Sequence, residues 1–461
     1  MIIVGILLVV LLGYSIINKI DMGKTPLEKF GFSLLIGMGA VTIAMFIFDI
    51  LHIPIRLYTL YPFMLGGVIL LQWRTIKKFR FAKPVDFNLN LPGRIGTILK
   101  IARQHLLWTF FILLILFIAT GSVVKSLYWP TFAYDNIAGY DLMGKVIAAE
   151  GKINNSLFEI DGKPIDGSAK RLTYPILVSG SFAYAYLHNL KTSKIMTSLF
   201  FIFFIISFYA LLKNYTERIN AAIGTFFMVI TPEFLAFTSL STTNIPFAIY
   251  ASLAMITLFL WIISGKREDL IVAAIFAGLT VWTRSEGIIF IITGVIAILV
   301  SGGKERRWKN LLLYFCIGLA PLLAWNIYMA VSFNASQSVF YLYPYWDFAK
   351  IKTMLMWIRR LIFAGNYFGI TFYIVFIAFV LNIKQILHDR TTKFLLMTVL
   401  SWGLFTLLYY QIDYSKLDPL DLVMTTSYRR GLFCFVPLIW YYVFSNHSVA
   451  GFSRKIFSDF L

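Results

Sequence analysis

The chain has 461 residues, 59% of them hydrophobic and only 14% charged, with a mean hydropathy of +0.77. Soluble domains carry about 25% charged residues, so a large soluble core is excluded and a polytopic membrane protein is expected. The formal net charge of +19 reads as a cytoplasmic excess of Lys and Arg rather than a nucleic-acid footprint.

Apolar runs long enough to cross about 30 Å of hydrocarbon fall near 2–17, 31–50, 57–73, 106–123, 195–212, 219–237, 246–263, 269–282, 287–300, 310–330, 362–382, 393–411 and 431–445. They predict an all-α bundle of about thirteen transmembrane helices. The first run lacks a basic leader and a small-residue cleavage site, and reads as a retained span. The run Tyr174–Leu187 is shorter and follows a Tyr-Pro turn. If it does not cross, one side collects Lys19, Lys24, Lys29, the basic segment 74–104, Lys213, Arg218, Lys266, Arg267, Lys304, Arg306, Arg307, Lys309, Lys384, Arg390, Lys393, Arg454 and Lys455, more than half of the 41 Lys and Arg. The positive-inside rule makes that side cytoplasmic. The expectation is a multi-pass protein of a bacterial or archaeal plasma membrane, N-terminus outside and C-terminus in the cytoplasm. The run 174–187 becomes a juxtamembrane or re-entrant helix, tolerable where it lines a cavity.

Three regions follow: a three-span extension with its basic segment (1–105), a core (106–330) and C-terminal spans (331–461). The external loops are 124–194, 332–361 and 411–430. The first is the chain's long polar insert, so aqueous chemistry has room there, and the site is expected at the external membrane face. Asp135 and Asp141 stand near its start, where a carboxylate beside hydrocarbon is costly and functional by default. Asp135 opens a predicted helix that runs to Gly151; it is an N-cap or a general base. Asp141 is four residues before Lys145, the spacing of an ion pair, and is the second candidate catalytic acid. The two are six positions apart, so they point to different faces of one helix.

Arg284 and Glu286, in Thr-Arg-Ser-Glu-Gly, lie at an external turn and read as an ionic staple or an anion site. Arg429 and Arg430 sit on the external side against the charge bias, as do Lys170 and Arg171 before Tyr174, which fits a bound anion. The aromatic run Tyr341–Trp346 reads as an interfacial belt or a sugar-stacking wall. Cys316 and Cys434 lie in apolar runs and give no disulfide framework. His52, His105, His188, His388 and His447 have no metal-ligand spacing, and neither a phosphate-binding glycine loop nor a nucleophile elbow occurs.

In order along the chain come an external loop with an early acid and a helix ending in Gly (Asp135 to Gly151), a Tyr-Pro half-helix (Tyr174-Pro175), the turn Thr242-Thr243-Asn244-Ile245-Pro246, and Arg284–Gly287. This order resembles the integral-membrane glycosyltransferases of the GT-C fold, including protein mannosyltransferases and lipid A aminoarabinose transferases. The resemblance covers about residues 106–330, with Arg430 a weaker match near the last spans. It implies a GT-C-like bundle and a polyprenyl- or dolichyl-phosphate sugar donor, with Asp135 as the catalytic acid of the loop. The family's second carboxylate is Asn244 here, a weaker ligand for a hard cation, so no metal site is assigned; a divalent cation, Mg or Mn, is the cofactor left open.

The expected activity is inverting transfer of one sugar, a hexose or pentose, to a glycan, lipid or protein acceptor of the cell envelope. Membrane lipids are the expected surroundings and nucleic acid is not a partner. Lys170, Arg171, Tyr174, Asn244, Arg284, Glu286, Arg429 and Arg430 form the expected substrate-binding set. A lipid-linked oligosaccharide polymerase or ligase is the alternative. A secondary transporter ranks lower, because the spans are apolar in their middles and no repeat is visible.

Overall fold

The computed structural model describes residues 2–79, 105–131, 136–160, 163–164, 174–301, 307–333, 345–386, 388–412, 419–449 and 451. Asp135, Lys170 and Arg171 lie outside the described residues, as do most of the basic segment 74–104 and residues 341–344 of the aromatic run.

The chain opens with α1 (Ile2–Ile20), α2 (Pro26–Ile50) and α3 (Leu57–Phe79). Pro26 occupies the first turn of α2, and the Glu28 amide donates to Thr25 Oγ1 at 3.2 Å, a standard N-cap. α1 and α2 meet backbone to backbone. A Cβ on Gly13 would stand 1.8 Å from the Ser33 carbonyl oxygen, and one on Gly37 2.1 Å from that of Val9. Small residues at such crossings let membrane helices approach closely.

α4 (Leu106–Tyr128) exposes Leu113, Leu116 and Phe117 and buries Ile115, Ala119, Ser122 and Ser126, one stripe at helical spacing. The insert follows. A π-helical turn, Asn136–Tyr140, leads into α5 (Asp141–Glu150), which ends at Gly151 with φ +78°, the left-handed C-cap that favours glycine. A two-residue ladder pairs Glu159–Ile160 with Lys163–Pro164. Then comes α6 (Leu177–Leu187). Its eleven residues reach about 16 Å, half the hydrocarbon thickness. Residues 177–185 are all buried, so the half-helix is enclosed by protein, as a helix apolar on every side must be.

α7 (Lys194–Lys213), α8 (Arg218–Ile230) and α9 (Pro232–Phe237) come next. The apolar run 219–237 is therefore two helices, not one. Pro232 has no N–H to continue α8, and the residue before it, Thr231, leaves the helical region at φ −57°, ψ 120°. α10 (Asn244–Ser264) and α11 (Arg267–Thr283) lead to a 3₁₀ turn at Ser285–Gly287, then α12 (Ile288–Ser301) and α13 (Arg307–Phe333). The loop read as 332–361 contains a helix, α14 (Phe348–Ile362), capped by Asp347, whose carboxylate accepts from the Ala349 and Lys350 amides at 2.8 and 3.2 Å. The run 362–382 splits into α15 (Gly365–Phe368) and α16 (Thr371–Asn382) around Gly369, at φ +55°. The chain finishes with α17 (Thr391–Tyr410), α18 (Leu420–Val423), a π-helical turn Met424–Tyr428, α19 (Arg429–Leu432) and α20 (Val436–Ser445).

Helices stand at all the predicted span positions, and α1, α2, α4, α7, α10, α13 and α17 are long and apolar enough to cross a bilayer. The fold is an all-α polytopic membrane bundle. α10 sits at its centre, buried from Asn244 to Trp261. α2 packs directly on it and on α11: Tyr250 donates to the Leu35 carbonyl at 2.8 Å, and Trp282 Nε1 to Thr42 Oγ1 at 3.2 Å. The first spans are thus built into the core.

Candidate functional site

The turn after α11 carries the main constellation. Arg284 Nη2 donates to Glu286 Oε1 at 2.7 Å and Arg284 Nε to Oε2 at 3.4 Å, with the side chains 17% and 10% exposed. Tyr174 Oη donates to the same Oε1 at 3.1 Å, so the insert's tail is tied to this turn. The guanidinium lies 5.6 Å from the Tyr174 ring centre and 5.4 Å from that of Phe247, on the first turn of α10. Tyr140 packs edge-on against Tyr174 at 5.8 Å. Tyr409, at the end of α17, lies within electrostatic reach of Arg284, Glu286 and Arg430. Five chain segments therefore converge on one buried ion pair.

Burial alone would raise the Glu286 carboxyl, but the adjoining guanidinium and the hydrogen bonds it accepts hold it below the usual glutamate range. Burial works against the Arg284 charge too, and Glu286 with the surrounding tyrosines more than restores it. Burial, with Glu286 next, pushes Tyr174 well above the ordinary phenol value, so it stays a donor. Two of the five guanidinium donors are used by Glu286, and the rest have no acceptor among the described residues.

The other predicted residues divide. Arg429 pairs with Glu233 at 3.1 Å and stacks over Tyr367 at 4.4 Å, which joins α9 to the last segment. Asp141 is buried, accepting from Tyr186 Oη at 2.5 Å and from the Ser193 hydroxyl, and pairs with Lys145 at 3.1 Å as the four-residue spacing anticipates. Asn244 opens α10, and Asn136, next to Asp135 in sequence, is fully buried with neither side-chain polar atom bonded among the described residues.

Outside this centre, Asp49 at the end of α2 accepts from Tyr328 Oη and the Ile153 amide, both at 2.5 Å. Arg56 closes the C-terminus of α5 by donating to the Ala148 and Ala149 carbonyls. Asp49, His52, Glu150, Lys152 and Tyr328 line a cavity of about 900 Å³ between the insert, α2 and α13. Its Phe46 wall touches Trp282, two residues before Arg284, at 5.3 Å.

Sequence reasoning missed Tyr140, Tyr409, Glu233 and Asp49. Glu233 and Asp49 carried a readable signal, as lone carboxylates within or ending an apolar run. The two tyrosines carried none, because only the tertiary fold brings them to Arg284.

Residues 187–328 match the profile of the dolichyl-phosphate-mannose-protein mannosyltransferase family. The match covers about a third of the chain and includes α7 to α11, Asn244, Arg284 and Glu286. This region is a GT-C type glycosyltransferase domain, as the motif order indicated. No curated protein and no solved structure matches the chain. The buried Arg284–Glu286 pair lies within the mannosyltransferase-like region, with Tyr174 reaching it from just outside the match.

Proposed function

We propose that this glycosyltransferase moves one sugar from a polyprenyl-phosphate carrier to a cell-envelope acceptor at the external membrane face, with inversion. The observation that carries the reading is the Arg284 guanidinium, buried, oriented by Glu286 and Tyr174, and left with unused donors. A phosphate on a lipid tail needs such a preorganised cation where its tail remains in hydrocarbon. The reaction breaks the bond between sugar C1 and the phosphate oxygen, and the electron pair leaves with the lipid phosphate. The acceptor oxygen forms the new bond to C1 from the opposite side, and its proton passes to a carboxylate, for which Asp135 is the assignment. Arg284 and Arg430 offset the charge that grows on the leaving phosphate, with Lys170 and Arg171 as further candidates. Asp141, whose carboxylate is already occupied by Tyr186, Ser193 and Lys145, holds the insert on α6 and α7. The external side follows from the charge bias of the loops. Mannose is the sugar named in the family match and is the first donor to test.

The test is transfer from polyprenyl-phosphate mannose in proteoliposomes. Asp135→Asn abolishes transfer while melting temperature and lipid-phosphate binding are unchanged; wild-type rates in this variant refute the base assignment.

A further inference from the structure

We propose that the buried N-terminus of α10 is an oxyanion site that takes a phosphate group, an assignment that deepens the proposed function and rests on it for the identity of the lipid carrier. α10 has 21 residues, and Thr243 at its N-cap position makes no capping bond. The amides of Asn244 and Ile245 therefore face the turn without an intrahelical acceptor. The hydroxyls of Ser239, Ser241, Thr242 and Thr243 belong to side chains at most 2% exposed, and none has a partner among the described residues.

The adjoining hydroxyls behave otherwise. Ser122 bonds Thr238 Oγ1 at 2.9 Å and Ser198 at 3.1 Å, a fully paired lattice one residue before the unpaired run. Buried polar groups in native proteins are paired, and an orphan costs its full desolvation. Four orphans at one helix start mark a place built for something else. The positive end of the helix dipole selects an anion there. Asn244 at the first helical position is neutral, so this residue sets no carboxylate against a bound anion. Arg284, whose guanidinium lies 5.4 Å from the ring centre of Phe247 on the same first turn, supplies the formal charge. Hydroxyl donors, helix amides and a guanidinium together fit a tetrahedral phosphate oxyanion, whether borne by a lipid or free.

The experiment titrates the purified full-length protein with farnesyl phosphate, inorganic phosphate and farnesol. Wild type binds farnesyl phosphate and not farnesol, and Thr242→Val/Thr243→Val weakens that binding by about tenfold or more, since charge-assisted hydrogen bonds are lost. The same variant, without ligand, melts no lower than wild type, because it removes unpaired hydroxyls. Thr242→Ser/Thr243→Ser keeps the hydroxyls and binds like wild type. Inorganic phosphate bound with the same variant dependence, and farnesyl phosphate not, keeps the oxyanion site and overturns the lipid carrier. Equal farnesyl phosphate affinity in wild type and the Val variant overturns the site and leaves the transferase reading standing. A lower melting point of the Val variant with unchanged affinity assigns the hydroxyls to resident water and also overturns it, as does the absence of any phosphate binding by wild type.

Discussion

Glu286 and Glu233 each face an arginine in a buried setting, and Glu286, in the turn between two helices, is held below the usual glutamate range. Glu286 is held low, so the stability from its pair is present above the ordinary value and lost as pH falls through its own lower one. Infrared difference titration, with Glu286→Gln to identify the band, should find Glu286 protonating below the usual glutamate range; protonation at or above that range contradicts the assigned environment. Removing one charge of a buried pair strands the other. Glu286→Gln should therefore cost on the order of 3–5 kcal/mol, read as a lowered melting temperature in detergent. Arg284→Lys keeps the charge but loses the fork that Glu286 orients, and should impair transfer without comparable unfolding.

The insert is held as an element by buried polar groups. Asp49 satisfies the Ile153 amide and Tyr328 Oη. Asp49→Ala removes the acceptor of the buried Ile153 amide, at about 1–3 kcal/mol, so the melting temperature should drop and proteolysis within 151–160 should accelerate. Unchanged protection would remove Asp49 from this role. Where sequence periodicity failed, backbone chemistry explains it: Pro232 and Gly369 each break a run that looks continuous by hydropathy. α14 was hidden inside a segment read as loop, although the Asp347 cap and the spacing of Ile351, Met354, Ile358 and Leu361 describe an amphipathic helix.

At the scale of the whole molecule, the helical bundle, the half-helix α6 and the Arg284–Glu286 pair were legible, because hydropathy, span length and local spacing encode them. The depth of α2 in the core was not, since every span is apolar and only side-chain fit decides which ones meet. Tyr409 reaches Arg284, and Glu233 reaches Arg429, through contacts distant in sequence, beyond the reach of any motif. Orientation is open to direct measurement on the intact protein. With Cys316 and Cys434 replaced, Ser156→Cys should label with an impermeant maleimide from outside and Lys266→Cys only after permeabilisation; the opposite pattern inverts the topology. The central claim, a lipid-phosphate sugar held at Arg284, meets its most direct test in native mass spectrometry of the purified protein. Wild type should retain a polyprenyl phosphate or its glycosylated form, and Arg284→Gln should lose it; a diphosphate-linked glycan in its place, or retention unchanged by the substitution, would contradict the account.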